Sequence, residues 1–117
     1  MIVGIGVDIA DNARFESLDE GFLKRIFTPL EISEGEMRAK KGEFFASRFA
    51  SKEAFSKALG TGLVGISPRE IEIIEDEKGK PSIRLLKALD KEYKIHLSLS
   101  HEKEMSIAMV VIEDGKN

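Results

Sequence analysis

The 117-residue sequence contains no Cys, no Trp and a single Tyr. Without Cys there is no disulfide, no thiolate nucleophile and no Cys-ligated zinc, and this usage fits a reducing compartment, so a cytoplasmic location is expected. Gln is absent too, and Asn stands only at positions 12 and 117. With charge carried mostly by Glu and Lys, this resembles the composition of heat-adapted proteins. The longest apolar runs, near Met1 to Val7 and Ile107 to Ile112, fall far short of the roughly 20 residues of a membrane span. The start lacks a basic region and reaches Asp8 almost at once, so no signal peptide is read. Charge of one sign is missing as well: 18 basic against 21 acidic side chains leave a net charge of −3. Nucleic-acid binders gather Lys and Arg into a stripe, and none is found here. The expectation is one soluble domain over residues 1–117, large enough to build a core without staples.

What is present points to an α+β fold. Residues 2–9 read as a strand by their β-branched content, with Val3, Ile5, Val7 and Ile9 on one face and Ile2, Gly4, Gly6 and Asp8 on the other. From Asn12 to Lys41 the pattern is helical but broken at Gly21 and at Thr28-Pro29, a good N-cap and first helical position. Gly42 to Leu59 is the strongest helix, closed by Gly60. Phe44, Phe45, Phe55 and Leu59 cover one side of it and Ala46, Ala50, Ala54 and Ala58 the other, which predicts a central, buried helix whose Arg48, Lys52, Glu53 and Lys57 need partners or a ligand. Gly60-Thr61-Gly62 and Gly65 read as a flexible exit. Strands follow at Glu70 to Glu75 and Pro81 to Leu85 around a turn at Asp76 to Lys80, then a short helical stretch near Leu86 to Tyr93. A hairpin joins Ile95 to Ser100 and Ser106 to Ile112 through Glu102-Lys103-Glu104. The sum is a largely antiparallel sheet on one long buried helix plus shorter helices.

Several side chains carry possible chemistry. Gly4-Ile5-Gly6 is no dinucleotide fingerprint, because Ile9 stands where the third Gly belongs and the strand continues; the glycines at 60–65 lack the Gly-Lys-Ser/Thr ending of a phosphate loop. Asp8 either caps the turn after its strand or presents an acidic oxygen beside two glycines, with space for a ligand or cation. Glu53 and Lys57 have the spacing and order of an intrahelical ion pair, worth a few tenths of a kcal/mol. On a helix apolar all round, however, a carboxylate must be paired or metal-bound. Two carboxylates without Cys or paired His suit a hard cation such as Mg²⁺. His101, at a strand end, is either structural or a proton-transfer and phosphate-binding group. Composition and periodicity alone leave three classes open: a transferase, a non-catalytic module that binds coenzyme A or another nucleotide, and a structural oligomer with satisfied core polar groups.

Three blocks in order and spacing, Gly6-Val7-Asp8, Phe49 to Gly60 (FASKEAFSKALG) and Ser98-Leu99-Ser100-His101, resemble the holo-acyl-carrier-protein synthases, the single-domain 4′-phosphopantetheinyl transferases. Lys78-Gly79-Lys80-Pro81 also resembles the turn before a family strand. The resemblance implies transfer of phosphopantetheine from coenzyme A to a serine of apo acyl carrier protein, releasing adenosine 3′,5′-bisphosphate in support of fatty acid biosynthesis. It implies that Asp8 and Glu53 hold Mg²⁺, that Glu53 also activates the serine through a metal-bound water, and that Lys57 steadies the pyrophosphate or leaving group. His101, Arg48, Lys40, Lys41, Gly60, Lys80 and Pro81 would lie along the coenzyme.

The carrier is acidic, so the resemblance further implies a basic, partly apolar docking surface made of Arg14, Leu18, Phe22, Lys24 and Arg25. Gly21, Asp19 and Glu20 stand in a stretch that is often more basic in relatives. Family members of this length resemble homotrimers with sites at subunit interfaces, for which the apolar C-terminal strands would supply contact area or else ordinary core.

Overall fold

Two small-residue rows fix the centre of the molecule. In the computed structural model, which describes residues 1–60 and 65–115, strand β1 (Ile2–Asp11) lies directly on helix α3 (Lys41–Leu59). The Gly4 and Gly6 backbone meets the row of α3 that carries Ala54 and Ala58. A Cβ on Gly4 would fall 1.7 Å from the Ala58 carbonyl oxygen, and one on Gly6 2.0 Å from that of Ala54. The space beside Asp8 that the two glycines suggest is therefore filled by the helix backbone. The glycines serve close packing, not a ligand.

Helices α1 (Glu20–Ile26) and α2 (Pro29–Glu36) precede α3, after a short 3-10 turn at Asn12–Phe15. The Thr28 cap is as expected: its hydroxyl accepts from Glu31 N and the Glu31 carboxylate accepts from Thr28 N, satisfying two otherwise orphaned donors. Gly60 ends α3 at φ +80°, a conformation that favours glycine. The Thr61 and Gly62 exit lies outside the described residues.

Strands β4 (Tyr93–His101) and β5 (Met105–Asp114) pair antiparallel, and β5 pairs with β1, giving the order β1-β5-β4. A separate hairpin, β2 (Ile71–Glu75) with β3 (Pro81–Leu85), turns at Asp76, whose carboxylate accepts from Lys78 N and Lys80 N, each at 2.9 Å. The expected helix near Leu86 to Tyr93 does not form. Eight residues are below the length at which an isolated helix holds, and the segment is instead tied at its ends, Leu86 N to Glu70 O and Gly115 N to Glu92 O. Leu89 still packs against the core.

The two faces of the three-stranded sheet differ in an unexpected way. Ala10, Ala108, Val110 and Ile112 are buried beneath α3. The aliphatic face of β1 points outward, with Val3 52%, Ile5 64%, Val7 59% and Ile9 55% exposed. Ile107 and Met109 of β5 extend this surface, paired with Ile9 and Val7. The C-terminal strands thus give core on one side and an open apolar surface on the other.

A buried polar network joins the second hairpin to the helices. Lys52 Nζ lies 2.8 Å from Glu31 Oε1 and donates to Pro68 O at 2.8 Å. Glu31 also accepts from Ile73 N at 2.8 Å. Thr28 donates to Glu72, which is paired with Arg84. Desolvation holds the Lys52 ammonium below the usual lysine range, although Glu31 opposes that shift. Every oxygen of Glu31 is used, which is the condition for burying such a pair.

Candidate active site

Where α3 crosses β1, Lys57 reaches across to the strand. Its Nζ is 3.0 Å from Asp8 Oδ1 and donates to Val7 O at 3.0 Å. The Glu53–Lys57 pair that the spacing favours does not form. A sheet-borne carboxylate and carbonyl together offer the ammonium two acceptors, against one from its own helix. Glu53, half-buried one turn earlier on the same side of the helix, keeps neither a hydrogen bond nor an ion pair among the described residues. Asp8 and Glu53 thus flank Lys57 from two elements.

Toward the other end of α3, a cleft of about 330 Å³ is lined by Arg38, Lys40, Arg48, Pro81 and His101, among others. Arg48 is 4% exposed. Its guanidinium stacks 4.0 Å from the Phe44 ring centroid and Nη2 lies 3.0 Å from Glu75 Oε2. That approach lacks hydrogen-bond alignment, so Arg48 Nε and Nη2 remain buried donors without a hydrogen-bond acceptor among the described residues. Burial alone would push the Glu75 carboxyl up, but Arg48 and Arg38 outweigh it and hold it below the usual carboxylate range. The cleft therefore sets three basic side chains, Arg38, Lys40 and Arg48, against two carboxylates, of which Glu75 pairs with both arginines and Glu43 with His101. The surplus of basic groups suits an anion.

Of the coenzyme set expected from sequence, Lys40, Arg48, Pro81 and His101 line this cleft. Lys41 turns away to pair with Glu36 at 2.9 Å. Lys80 sits in the turn between the lining residues Gly79 and Pro81. Gly60 and Lys57 lie at the opposite end of α3; nine residues from Arg48 to Lys57 span about 13 Å of helix axis. One chain therefore does not gather Asp8, Glu53 and Lys57 with the cationic cleft. Of the expected carrier surface, Arg14, Lys24 and Arg25 are exposed, whereas Leu18 and Phe22 are half-buried and packed against the core. Lys24 pairs with Glu20 at 2.8 Å.

Sequence reasoning did not single out Arg38, Glu75 or Glu43. Arg38 lies over Phe44 at 4.8 Å and 3.3 Å from Glu75, and Glu43 contacts His101. All are joined through tertiary contacts, so no local spacing announces them. The signal nearest to one was the buried Arg48, which required a counter-charge.

The model of the 4′-phosphopantetheinyl transferase superfamily matches residues 4–112. The holo-[acyl-carrier-protein] synthase of Geobacillus kaustophilus is 50% identical, over 97% of this chain and 90% of its own. That of Halothermothrix orenii is 42% identical over 98% and 100%. The Bacillus anthracis synthase, solved in complex with CoA (3′,5′-ADP), superposes with a TM-score of 0.86 at 42% identity, covering 98% of this chain and 99% of that one. The Helicobacter pylori synthase in complex with coenzyme A gives 0.78 at 34% identity, over 93% and 99%. The α+β fold, the sequence blocks and these likenesses agree: the chain is a transferase and belongs to the holo-[acyl-carrier-protein] synthase family.

Proposed function

We propose that this chain transfers 4′-phosphopantetheine from coenzyme A to a serine hydroxyl of apo acyl carrier protein, with Mg²⁺, in the cytoplasm and in support of fatty acid biosynthesis. The observation that carries the reading is Glu53, without a partner among the described residues, beside the Asp8–Lys57 contact. Two carboxylates with spare coordination capacity suit Mg²⁺, which takes one or two carboxylates and completes its octahedron with water and substrate phosphate. Among the described residues no group of three or more His, Asp or Glu forms a self-sufficient metal site, in keeping with a cation held jointly by protein and substrate. When bound, such a cation neutralises charge on the phosphoryl oxygens.

The chain's own residues then have these tasks. Asp8 and Glu53 hold the cation. Lys57 moves its ammonium from Asp8 toward the pyrophosphate and the leaving bisphosphate. The serine oxygen bonds to the pantetheine-bearing phosphorus, the bond to adenosine 3′,5′-bisphosphate breaks, and the serine proton passes through a water to Glu53. Arg48, Lys40, Pro81 and His101 line the path of the coenzyme, flanked by Lys41, Lys80 and Gly60. Arg14, Lys24 and Arg25, with the edges of Leu18 and Phe22, meet the acidic carrier.

The working unit in this reading is a homotrimer of single-domain chains, with each site completed by a neighbouring copy. The outward aliphatic face of β1 and β5 supports it, since a monomer rarely leaves so continuous an apolar surface in water. The test is to incubate the protein with apo carrier protein, coenzyme A and Mg²⁺ and to record the carrier's intact mass. A gain of one phosphopantetheine is expected. A carrier mass unchanged with every competent carrier would leave a coenzyme-binding module, not a transferase.

A further inference from the structure

His101 enters the cleft with one of its ring nitrogens already committed. Nδ1 lies 3.2 Å from Glu43 Oε2. A carboxylate oxygen that close draws an N–H and repels a bare nitrogen lone pair, so the contact favours the proton on Nδ1 and leaves Nε2 as the ring nitrogen available to a ligand. We propose that Glu43 is a positioning residue: it fixes the tautomer and orientation of His101 so that Nε2 is offered, as an acceptor, to a hydroxyl or N–H group of whatever phosphorylated ligand fills the cleft.

Both partners are anchored by elements that do not depend on a ligand. Glu43 stands in the first turn of α3, where the unpaired backbone amides favour a carboxylate. Glu43 and His101, with Lys40, line both the cleft and a second hollow. His101 ends β4 at a turn that is itself pinned. Asn12 donates from Nδ2 to Glu102 O and Lys103 O at 3.2 and 3.3 Å, and accepts from Ser106 Oγ at 2.7 Å. Asn12 N donates to Glu104 O at 2.8 Å. The Glu102 carboxylate closes the turn by accepting from Glu104 N and Met105 N. Backbone and ring are thus set by separate devices, Asn12 for the first and Glu43 for the second. A ring so held loses little freedom when a ligand arrives, which is how pre-organisation contributes to affinity.

This inference places His101 on the coenzyme as proposed above, and its test separates the two ideas. The chain has two histidines, His96 and His101, so ring ¹⁵N spectra of labelled protein are assignable with a His101→Asn variant. The neutral-pH spectrum is expected to show His101 protonated on Nδ1. In Glu43→Ala it is expected to revert to the Nε2–H form that free histidine favours, while Glu43→Asp or Glu43→Gln, which keep an acceptor, restore part of the native signal. An Nε2–H ring in the native protein, or shifts unmoved by Glu43→Ala, would overturn the proposal. Titration with coenzyme A alone is expected to show affinity about fivefold weaker in Glu43→Ala, the scale of one hydrogen bond. A moved ring with unmoved affinity would overturn the ligand's use of Nε2 while leaving the test of phosphopantetheine transfer untouched.

Discussion

Lys57 Nζ rests 3.0 Å from Asp8 Oδ1, across from its own strand and helix neighbours, while Glu53 one turn away has no partner among the described residues. The contact links residues 49 positions apart, so it is a property of the fold and not of the helix. It also puts the ammonium where a cation-binding carboxylate would otherwise be free.

Because Lys57 is exposed and its ion pair lies at the surface, removing it should alter stability by less than about 1 kcal/mol. Its loss from a phosphoryl-transfer site should be far larger, on the order of 100-fold in kcat. We therefore expect Lys57→Met to melt near the native temperature and to transfer phosphopantetheine about 100-fold more slowly. Asp8→Ala and Glu53→Ala should each abolish magnesium-dependent turnover with the fold intact. Full activity in either carboxylate variant would remove it from the metal site.

The outward face of β1 gives a prediction about assembly. Ile5 is 64% exposed and pairs with Val111 on the same surface. Ile5→Lys should leave the fold of each chain intact and place a charge inside any interface formed there. Sedimentation is expected to find trimers in the native protein and smaller species in the variant, with transfer activity lost in parallel. An unchanged mass in solution would place the interface elsewhere.

Gly6→Ala tests the close approach of strand and helix. The added Cβ would lie 2.0 Å from Ala54 O and 2.7 Å from Ala58 N, both backbone atoms. Neither can rotate away, so the strand must lift, at roughly 1–3 kcal/mol. A melting temperature lower by several degrees is expected in calorimetry. Equal stability would mean that β1 and α3 slide apart without cost.

Acid should weaken the second hairpin first. Burial pushes the Glu72 carboxyl up, but the Thr28 hydroxyl and Arg84 outweigh it; Arg48 and Arg38 do the same for Glu75, so both sit below the ordinary 4.5. For a depressed carboxylate the stabilisation is complete above the unfolded value and is lost as pH falls through the folded one. Thermal midpoints should therefore drop as pH falls below about 4.5. In Glu72→Gln the native stability should be lower and that part of the acid dependence flatter.

Features encoded locally were legible in the sequence. Thr28 before Pro29, Gly60 after the long helix and Asp76 with Gly79 are signals read over four or five residues, and each appears where expected. The period-two pattern of β1 correctly grouped Val3, Ile5, Val7 and Ile9, yet a grouping does not say which face meets water. Here the glycine face is the packed one, since only it lets the helix approach. Leu86 to Tyr93 misled because Leu86, Leu89 and Tyr93 mimic a helical stripe in a segment too short to sustain one. Within the site, residue types pointed to Asp8, Glu53, Arg48 and His101. Their counterparts Glu43 and Glu75 were hidden because charge pairing between distant elements leaves no spacing to read.

Asn12 carries a consequence for chemical ageing. Asparagine deamidates when the following backbone nitrogen attacks its side-chain carbonyl. Ala13 N is instead donated to Asp11 Oδ1 at 3.1 Å, and the Asn12 amide is buried with both its oxygen and its nitrogen bonded. The other asparagine, Asn117, falls outside the described residues, and the sequence offers no glutamine or cysteine to decay. The amide that pins the β4–β5 turn is held away from the geometry of its own hydrolysis, so the part that keeps His101 in register is also one that time alters slowly.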